Sequence, residues 1–223
     1  MAEYVLASFL HFARGLHHSC RDQRLHHFDR WTYHPVPLQG KTAGVVGAGG
    51  IGRAVARLRA EAGMRVIGTR RHKPSGNAVP TGFDRLVGSD SLLDVLAESH
   101  FVAVWCQWTP ETTRLIGCEA FAAMRTGTVL VNVARGEIID EKALLNALAA
   151  GKLRGVALDV YVGEFEHGPD RRLWDDERVL ITPHISSGTD KSRHRGVELF
   201  CENLHAYLDG RPPSNVVDWE RGY

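Results

Sequence analysis

The feature that most constrains the fold of this chain is a glycine-rich segment, Gly47-Ala-Gly-Gly-Ile-Gly52. It lies between an apolar run at 43–46, which predicts a buried strand, and an alanine- and arginine-rich run at 51–62, which predicts a helix. Gly47 permits a tight turn, Gly49 lets the backbone approach a pyrophosphate, and Gly52 lets the helix pack closely on the strand. The helix N-terminus offers unpaired N–H groups to phosphates. The segment therefore predicts a dinucleotide-binding unit, with cofactor contacts at Gly47, Gly49, Gly50, Ile51 and Gly52.

The second predicted strand, at 64–67, is followed by residues that bear on the choice of dinucleotide. A fold that prefers NAD usually carries a carboxylate here for the adenosine ribose, and residues 66–73 contain none. A guanidinium can instead hold a 2′-phosphate through two hydrogen bonds. We expect NADP to be preferred, with Thr69, Arg70 and Arg71 at its phosphate and Lys73 close by. The alternative, a solvated loop in a protein that binds NAD, stays open.

Apolar runs and helix-like runs alternate along the rest of the chain. Further strands are expected at 101–105, 128–133, 155–158 and 179–181, and further helices at 91–97 and 141–150. Unbroken apolar strands that alternate with helices are typical of a parallel sheet covered on both faces. We predict an α/β fold, a Rossmann-type doubly wound parallel sheet. An amphipathic helix at 2–17 precedes it, and a long helix at 192–208 follows it.

Composition narrows the range of partners and compartments. The 223 residues carry a formal net charge of +1, and the arginines form no stripe, so neither nucleic acid nor an anionic membrane is expected as a partner. No run approaches the length of a membrane span, and the first residues lack the basic start of a signal peptide. Cys20, Cys106, Cys118 and Cys201 are widely spaced, which favours free thiols and a cytoplasmic protein.

Six histidines between His11 and His34 raise the question of a metal site. They lack an ordered ligand spacing and companion carboxylates, and adjacent pairs such as His17-His18 point to different faces of a helix. We expect no metal here and interpret the segment as a solvated arm that can contact a partner.

Three polar residues follow the later strands directly. Arg135 comes after the strand at 129–133, Glu164 after the segment at 158–161, and His184 after the strand at 179–181. Ligands bind beyond the carboxyl ends of the strands in open α/β sheets. Histidine suits proton exchange at neutral pH, a nearby carboxylate fixes its ring, and arginine can polarise a carbonyl. The set predicts hydride-transfer chemistry on a hydroxyl or ketone.

These segments together resemble one family. The glycine loop, Thr109-Pro-Glu-Thr112, Val131-Asn-Val-Ala-Arg-Gly136, Ala157-Leu-Asp-Val160 and Thr182-Pro-His-Ile185 occur in the order found in D-isomer-specific 2-hydroxyacid dehydrogenases, in the branch with phosphoglycerate and glyoxylate/hydroxypyruvate dehydrogenases. The resemblance implies a small 2-keto or 2-hydroxy acid as substrate, bound by Arg135, with His184 as acid/base supported by Glu164. It implies further cofactor contacts at Thr112, Val133, Ala134, Asp159 and Ser187.

The resemblance also implies a homodimer through residues 2–31, with Phe9, Phe12, Phe28 and Trp31 as apolar anchors; packing of these faces within one chain is the alternative. It divides the chain into a dimerisation helix and arm at 1–35, a Rossmann domain at 36–187, and a C-terminal helix and tail at 188–223.

The sequence departs from the family in several places. Met1 aligns with the helix after the first part of the substrate domain, so we expect cofactor binding with impaired turnover. Phe165 replaces a common proline, and Gln107 and Trp108 replace an apolar-proline pair beside the adenine. A non-catalytic cofactor-sensing scaffold, similar to corepressors with this fold, is the competing function.

Overall fold

The computed structural model describes residues 1–71, 79–190, 192–217 and 219; the side chains of 50, 51, 53–55, 192 and 193 lie outside this description. These residues form two units, 1–186 and a shorter one from 187 onward. The helices are α1 (Ala2–Ala13), α2 (Leu16–Arg24), α3 (Gly50–Glu61), α4 (Leu92–Glu98), α5 (Cys118–Ala123), α6 (Glu141–Ala149), α7 (Arg171–Asp175) and α8 (Ser192–Leu208). None of the described helices has the length and apolar character needed to cross a membrane.

Within the described residues a single sheet of seven parallel strands forms the first unit. The strands are β1 (Thr42–Val46), β2 (Arg65–Arg70), β3 (Arg85–Gly88), β4 (Phe101–Val104), β5 (Thr128–Asn132), β6 (Leu153–Leu158) and β7 (Val179–Ile181). Their order is β3-β2-β1-β4-β5-β6-β7. The chain reverses direction across the sheet between β1 and β4, which makes their carboxyl ends the place where a doubly wound fold binds ligands. The predicted Rossmann-type fold is confirmed.

Alternate residues of the strands face two separate cores. Phe101 and Ala103 of β4 join the core on the side of α1 and α3, whereas Val102 and Val104 join the core on the side of α4, α5 and α6. Because these strands are covered on both faces, every residue of β1, β4 and β5 is buried and most of them are apolar, as expected for a parallel sheet covered on both faces.

The first helix differs from the sequence prediction in length and in what it buries. It ends at Ala13 rather than at residue 17, because Gly15 adopts a left-handed backbone (φ 69°) and starts a second helix. Phe9 and Phe12 are fully buried within the chain. Their expected role as anchors of a dimer is therefore wrong, and the alternative of packing within one chain is correct for these two residues.

The docking of α1 on the sheet depends on a missing side chain. Phe12 lies over Gly155 in β6, and a Cβ atom at that position would come 2.1 Å from Cδ1 of the phenylalanine ring. On the same helix Phe9 packs against Phe101, with ring centroids 4.9 Å apart. Arg154 adds a hydrogen bond from Nε to the carbonyl of Phe12 (3.2 Å). The N-terminal helix is thus part of the core of the unit.

Several short elements escaped the sequence prediction. The strand β3 contains only Arg-Leu-Val-Gly, which is too short to display a period. Helices α5 and α7 have only six and five residues. Helix α2 is largely polar and has two buried residues, so its sequence lacks the apolar stripe that predicts a packed helix.

Three histidine rings meet where α1 passes into α2. The ring of His17 lies 3.9 Å from that of His18 and 5.7 Å from that of His11, measured between centroids. Burial is the main reason that the pKa of His17 falls to about 4, and the nearby His18 and His11 lower it further. In the described part of the chain no group of three or more His, Cys, Asp or Glu residues is arranged to hold a metal ion.

We expect the free energy of unfolding to fall as pH is lowered from about 6.5 to about 4. In this window an unfolded histidine binds a proton whereas His17 in the folded chain stays neutral, so acid favours unfolding. His17 should contribute about 2 kcal/mol to this loss. Urea denaturation at several pH values measures it, and His17→Gln should show a shallower dependence than the parent chain. The exposed His205→Gln variant is the control; an unchanged slope in His17→Gln would contradict the prediction.

Candidate active site at the carboxyl edge of the sheet

The glycine loop lies at the point where the sheet changes direction. Gly47 follows β1 with φ 103°, and a Cβ atom there would come 2.6 Å from the backbone nitrogen of Cys106, just after β4. The amides of Gly47 and Ala48 both donate to the carbonyl of Thr69 at the end of β2 (3.1 and 2.8 Å). The loop is therefore fixed by backbone contacts with both neighbouring strands.

The two later glycines play different structural roles. A Cβ atom at Gly52 would approach the carbonyl oxygen of Gly47 to 2.7 Å, so α3 packs against the loop only because this side chain is missing. A Cβ atom at Gly49 would meet nothing within 4 Å. Gly49 is the N-cap of α3, and Gly50 and Ile51 supply backbone of its first turn. This open space at a helix N-terminus fits a pyrophosphate, which supports the predicted dinucleotide site.

The residues expected to contact a 2′-phosphate lie at the carboxyl end of β2. Thr69 is buried and contributes its carbonyl to the glycine loop, whereas Arg70 and Arg71 are exposed. Lys73, also expected here, lies outside the described residues. The Thr109 hydroxyl lowers the pKa of Glu111 in the turn at 109–112, and the charge of Arg71 lowers it further.

Thr112 organises that turn. Its Oγ1 accepts a hydrogen bond from the amide of Thr109 (2.8 Å) and donates to the carbonyl of Gln107 (2.7 Å). Trp108 is half exposed, and its Nε1 donates to the hydroxyl of Thr113 (3.0 Å). The hydroxyl of Thr112 therefore holds the backbone of the turn after β4.

Arg135 lies in a tight turn after β5. The buried Asn132 donates from Nδ2 to the carbonyl of Arg135 (2.9 Å) and accepts from the amide of Ala134 (3.0 Å). Gly136 completes the turn, because a Cβ atom there would lie 2.0 Å from the carbonyl carbon of Tyr161. The guanidinium is exposed, donates to the carbonyl of Ala134 (2.6 Å), and forms no ion pair with any residue that the structure describes.

Asp159 fixes the loop that carries His184. The carboxylate is almost fully buried; Oδ1 accepts from the Thr182 hydroxyl (2.5 Å) and the Ile185 amide (2.9 Å), and Oδ2 accepts from the Ser186 amide (2.8 Å). Burial acts to raise the pKa of Asp159, but the hydrogen bonds from Ser186, Thr182 and Ile185 outweigh it and lower the pKa. The carboxylate is therefore ionised and holds the loop at residues 182–186 in place.

His184 and Glu164 form a pair at this edge. Nδ1 of His184 lies 3.0 Å from Oε1 of Glu164, with 37% of the histidine side chain and 11% of the glutamate side chain exposed. His184 adopts φ 54°, a left-handed conformation that is uncommon for a residue with a side chain. Its amide donates to the carbonyls of Asp159 (2.9 Å) and Thr182 (3.0 Å), which stabilises this conformation.

The structure thus brings together some of the predicted residues. Glu164, His184 and Asp159 form one connected group, and Val133 and Ala134 lead into the turn of Arg135. Ser187 begins the second unit. The residues not identified from sequence are Asn132, Thr182 and Tyr4, whose hydroxyl lies 2.6 Å from that of Thr182. Asn132 and Thr182 lie within the quoted motifs, but Tyr4 has no such signal.

Comparison with known proteins gives a consistent picture. The family described as "D-isomer specific 2-hydroxyacid dehydrogenase, NAD binding domain" matches residues 6–186. The chain is 32% identical over 98% of its length to D-3-phosphoglycerate dehydrogenase of Methanocaldococcus jannaschii, of which it covers 41%. It is 38% identical over 82% of its length to glyoxylate reductase of Thermococcus kodakarensis, of which it covers 53%.

A solved structure extends this comparison. The D-isomer specific 2-hydroxyacid dehydrogenase of Xanthobacter autotrophicus Py2, in complex with NADPH and MES, is 34% identical with a TM-score of 0.87, and the match covers all of this chain and 88% of that one.

Gly49 and Gly52 should respond differently to an added methyl group. Gly49→Ala should change the free energy of unfolding by less than about 1 kcal/mol, because the space is open, the backbone (φ −78°) accepts a side chain, and the entropy gained by losing glycine offsets the poorer N-cap. It should weaken binding of the nicotinamide dinucleotide at least about tenfold, because the methyl group fills the phosphate cradle. Gly52→Ala should lower the free energy of unfolding by about 1–3 kcal/mol. Urea denaturation and fluorescence titration measure the two effects. Equal cofactor affinity in Gly49→Ala and the parent chain would contradict the prediction.

Proposed function

The chain belongs to the D-isomer specific 2-hydroxyacid dehydrogenase family, and we propose that it is the cofactor-binding and proton-transferring part of an NADP-dependent oxidoreductase. The substrate would be a small 2-keto acid or the corresponding D-2-hydroxy acid. Because the chain spans 41% and 53% of the two curated relatives named above, the activity of the whole protein is part of this proposal. The observation that carries it is the His184–Glu164 pair, 3.0 Å apart beyond the end of β7.

In this proposal His184 exchanges its proton through one particular ring atom. Nδ1 faces Glu164, so the carboxylate accepts the Nδ1 proton and leaves Nε2 to exchange a proton with the substrate oxygen. A bound nicotinamide supplies or accepts the hydride at the substrate carbon. As a ketone is reduced, Nε2 donates its proton to the carbonyl oxygen; as a hydroxyl is oxidised, Nε2 accepts it.

Arg135 is suited to the substrate carboxylate. Its guanidinium is exposed at the carboxyl end of β5, and the part of the chain described by the structure offers it no acidic partner. A planar guanidinium binds a carboxylate through two parallel hydrogen bonds, which also orients the ketone beside it. A substrate that carries a carboxylate next to its carbonyl satisfies both Arg135 and His184.

The cofactor would lie across the carboxyl ends of β1 and β4. Gly47, Gly49, Gly50, Ile51 and Gly52 would hold the pyrophosphate, and Arg70 and Arg71 would hold a 2′-phosphate. Val133, Ala134, Asp159 and Ser187 would line the nicotinamide end. The relative from Xanthobacter, whose structure holds NADPH, and the two exposed arginines support NADP over NAD.

The N-terminal residues would form a homodimer. Phe28 and Trp31 are 87% and 84% exposed, and large exposed apolar side chains on one segment favour a contact with a second copy. We retain 1–35 as the dimerisation helix and arm, 36–187 as the cofactor-binding domain, and 188–223 as the C-terminal helix and tail. The free thiols of Cys20, Cys106, Cys118 and Cys201 fit a cytoplasmic protein.

We expect the chain to bind NADP⁺ more tightly than NAD⁺. Arg70→Ala should weaken NADP⁺ binding about tenfold, because a charge-assisted hydrogen bond to the phosphate is lost, and should change the affinity for NAD⁺ less than about twofold. Isothermal titration calorimetry measures both dissociation constants. Arg65→Ala, at the opposite end of β2 and paired with Glu98, is the matched control. Tighter binding of NAD⁺ by the parent chain would overturn the preference.

We expect these 223 residues to reduce 2-keto acids with NADPH slowly. The side chain of His184 is 37% exposed, so water can reach the reacting atoms. His184→Gln should lower kcat/KM about 100-fold to 10,000-fold without changing NADPH affinity. Absorbance at the nicotinamide band measures the rates with glyoxylate, hydroxypyruvate, pyruvate and phenylpyruvate.

His205→Gln, an exposed histidine of α8, serves as the control. Undiminished activity in His184→Gln would refute the assigned role. Failure of the parent chain with every acid, despite tight NADPH binding, would instead favour a cofactor-sensing scaffold.

A further inference from the structure

A chain of hydrogen bonds connects the first helix to the loop of His184. The hydroxyl of Tyr4 lies 2.6 Å from Oγ1 of Thr182, although the two residues are 178 positions apart in sequence. Oγ1 of Thr182 donates to Oδ1 of Asp159 (2.5 Å), and the Asp159 carboxylate accepts the amides of Ile185 and Ser186. One side chain of α1 is therefore linked, through Thr182, to the carboxylate that fixes the backbone of Ile185 and Ser186.

The direction of these bonds follows from the chemistry of the groups. An ionised carboxylate accepts hydrogen bonds only, so the single proton of the Thr182 hydroxyl points to Asp159. Thr182 can then only accept from Tyr4, which makes the Tyr4 hydroxyl the donor at the start of the chain. Successive hydroxyl bonds that end on a charge polarise and strengthen one another.

We propose that Tyr4 is a positioning residue of the active site: through Thr182 it holds Asp159, and thereby sets the backbone of residues 184–186. This inference rests on the proposed function, since it concerns the nicotinamide end of that site. His184 depends on the arrangement because its left-handed backbone is held by the carbonyls of Asp159 and Thr182. α1 thus contributes to the geometry of the site as well as to the core.

Two hydroxyl deletions test the chain of bonds. Tyr4→Phe and Thr182→Val should each weaken NADP⁺ binding about threefold to tenfold, whereas the affinity for adenosine 2′,5′-bisphosphate should change less than about twofold. That probe reaches the glycine loop and Arg70 but not the nicotinamide end. The double variant should be no weaker than Thr182→Val alone, and Thr182→Ser, which keeps the hydroxyl, should restore parent affinity.

Tyr33→Phe is the matched control. It likewise deletes a hydrogen-bonded tyrosine hydroxyl, in this case one that donates to the carboxylate of Asp22 (2.8 Å), and should leave both affinities unchanged. Thermal denaturation shows whether each variant is folded. Equal weakening of both ligands by Tyr4→Phe, or no weakening of NADP⁺, would overturn the proposal.

Hydrogen exchange decides the point without any cofactor. In Tyr4→Phe the amides of Ile185 and Ser186 should exchange several-fold faster than in the parent chain, while that of Val102 in β4 should not change. Unchanged exchange at 185 and 186 would overturn the positioning role. If the parent chain binds neither nucleotide, the proposed function is wrong. The exchange rates at residues 185 and 186 would still test whether Tyr4 positions this backbone.

Discussion

The buried carboxylate of Asp159 is the group on which the site depends. Taken out of water, such a charge is costly unless hydrogen bonds replace its hydration. The replacements here are the amides of Ile185 and Ser186 and the hydroxyl of Thr182. Because these donors all come from the loop after β7, satisfying the charge also determines where His184 lies. The same hydrogen bonds thus stabilise the buried charge and fix the backbone that carries His184.

The sequence predicted the parts of the molecule that depend on local rules. The glycine segment requires a strand before it and a helix after it, and both are present. Each of the three expected chemical residues follows a strand, and parallel strands bring their carboxyl ends to one edge, so Arg135, Glu164 and His184 could be placed at that edge in advance. The order of the motifs along the chain then identified the family.

The parts that could not be predicted depend on contacts between distant segments. Phe9 and Phe12 have the same apolar character as Phe28 and Trp31, yet only the first two are buried. Distant residues receive them: Gly155 in β6 leaves room for the ring of Phe12, and Phe101 in β4 packs against Phe9. Tyr4 has no motif, and its importance comes from a partner that lies 178 residues later. The left-handed backbone of His184 could likewise not be predicted from the sequence, because it depends on hydrogen bonds to the carbonyls of Asp159 and Thr182.

The docking of α1 has a consequence for the order of assembly. The helix α1 precedes in the chain every strand that it packs on: its aromatic rings lie against β4 and β6, and Tyr4 contacts a residue that follows β7. Contacts of such large sequence separation carry a high loop-closure cost and form slowly. The apolar face of α1 therefore stays uncovered until the later strands are in place, so the helix and the sheet complete their cores together.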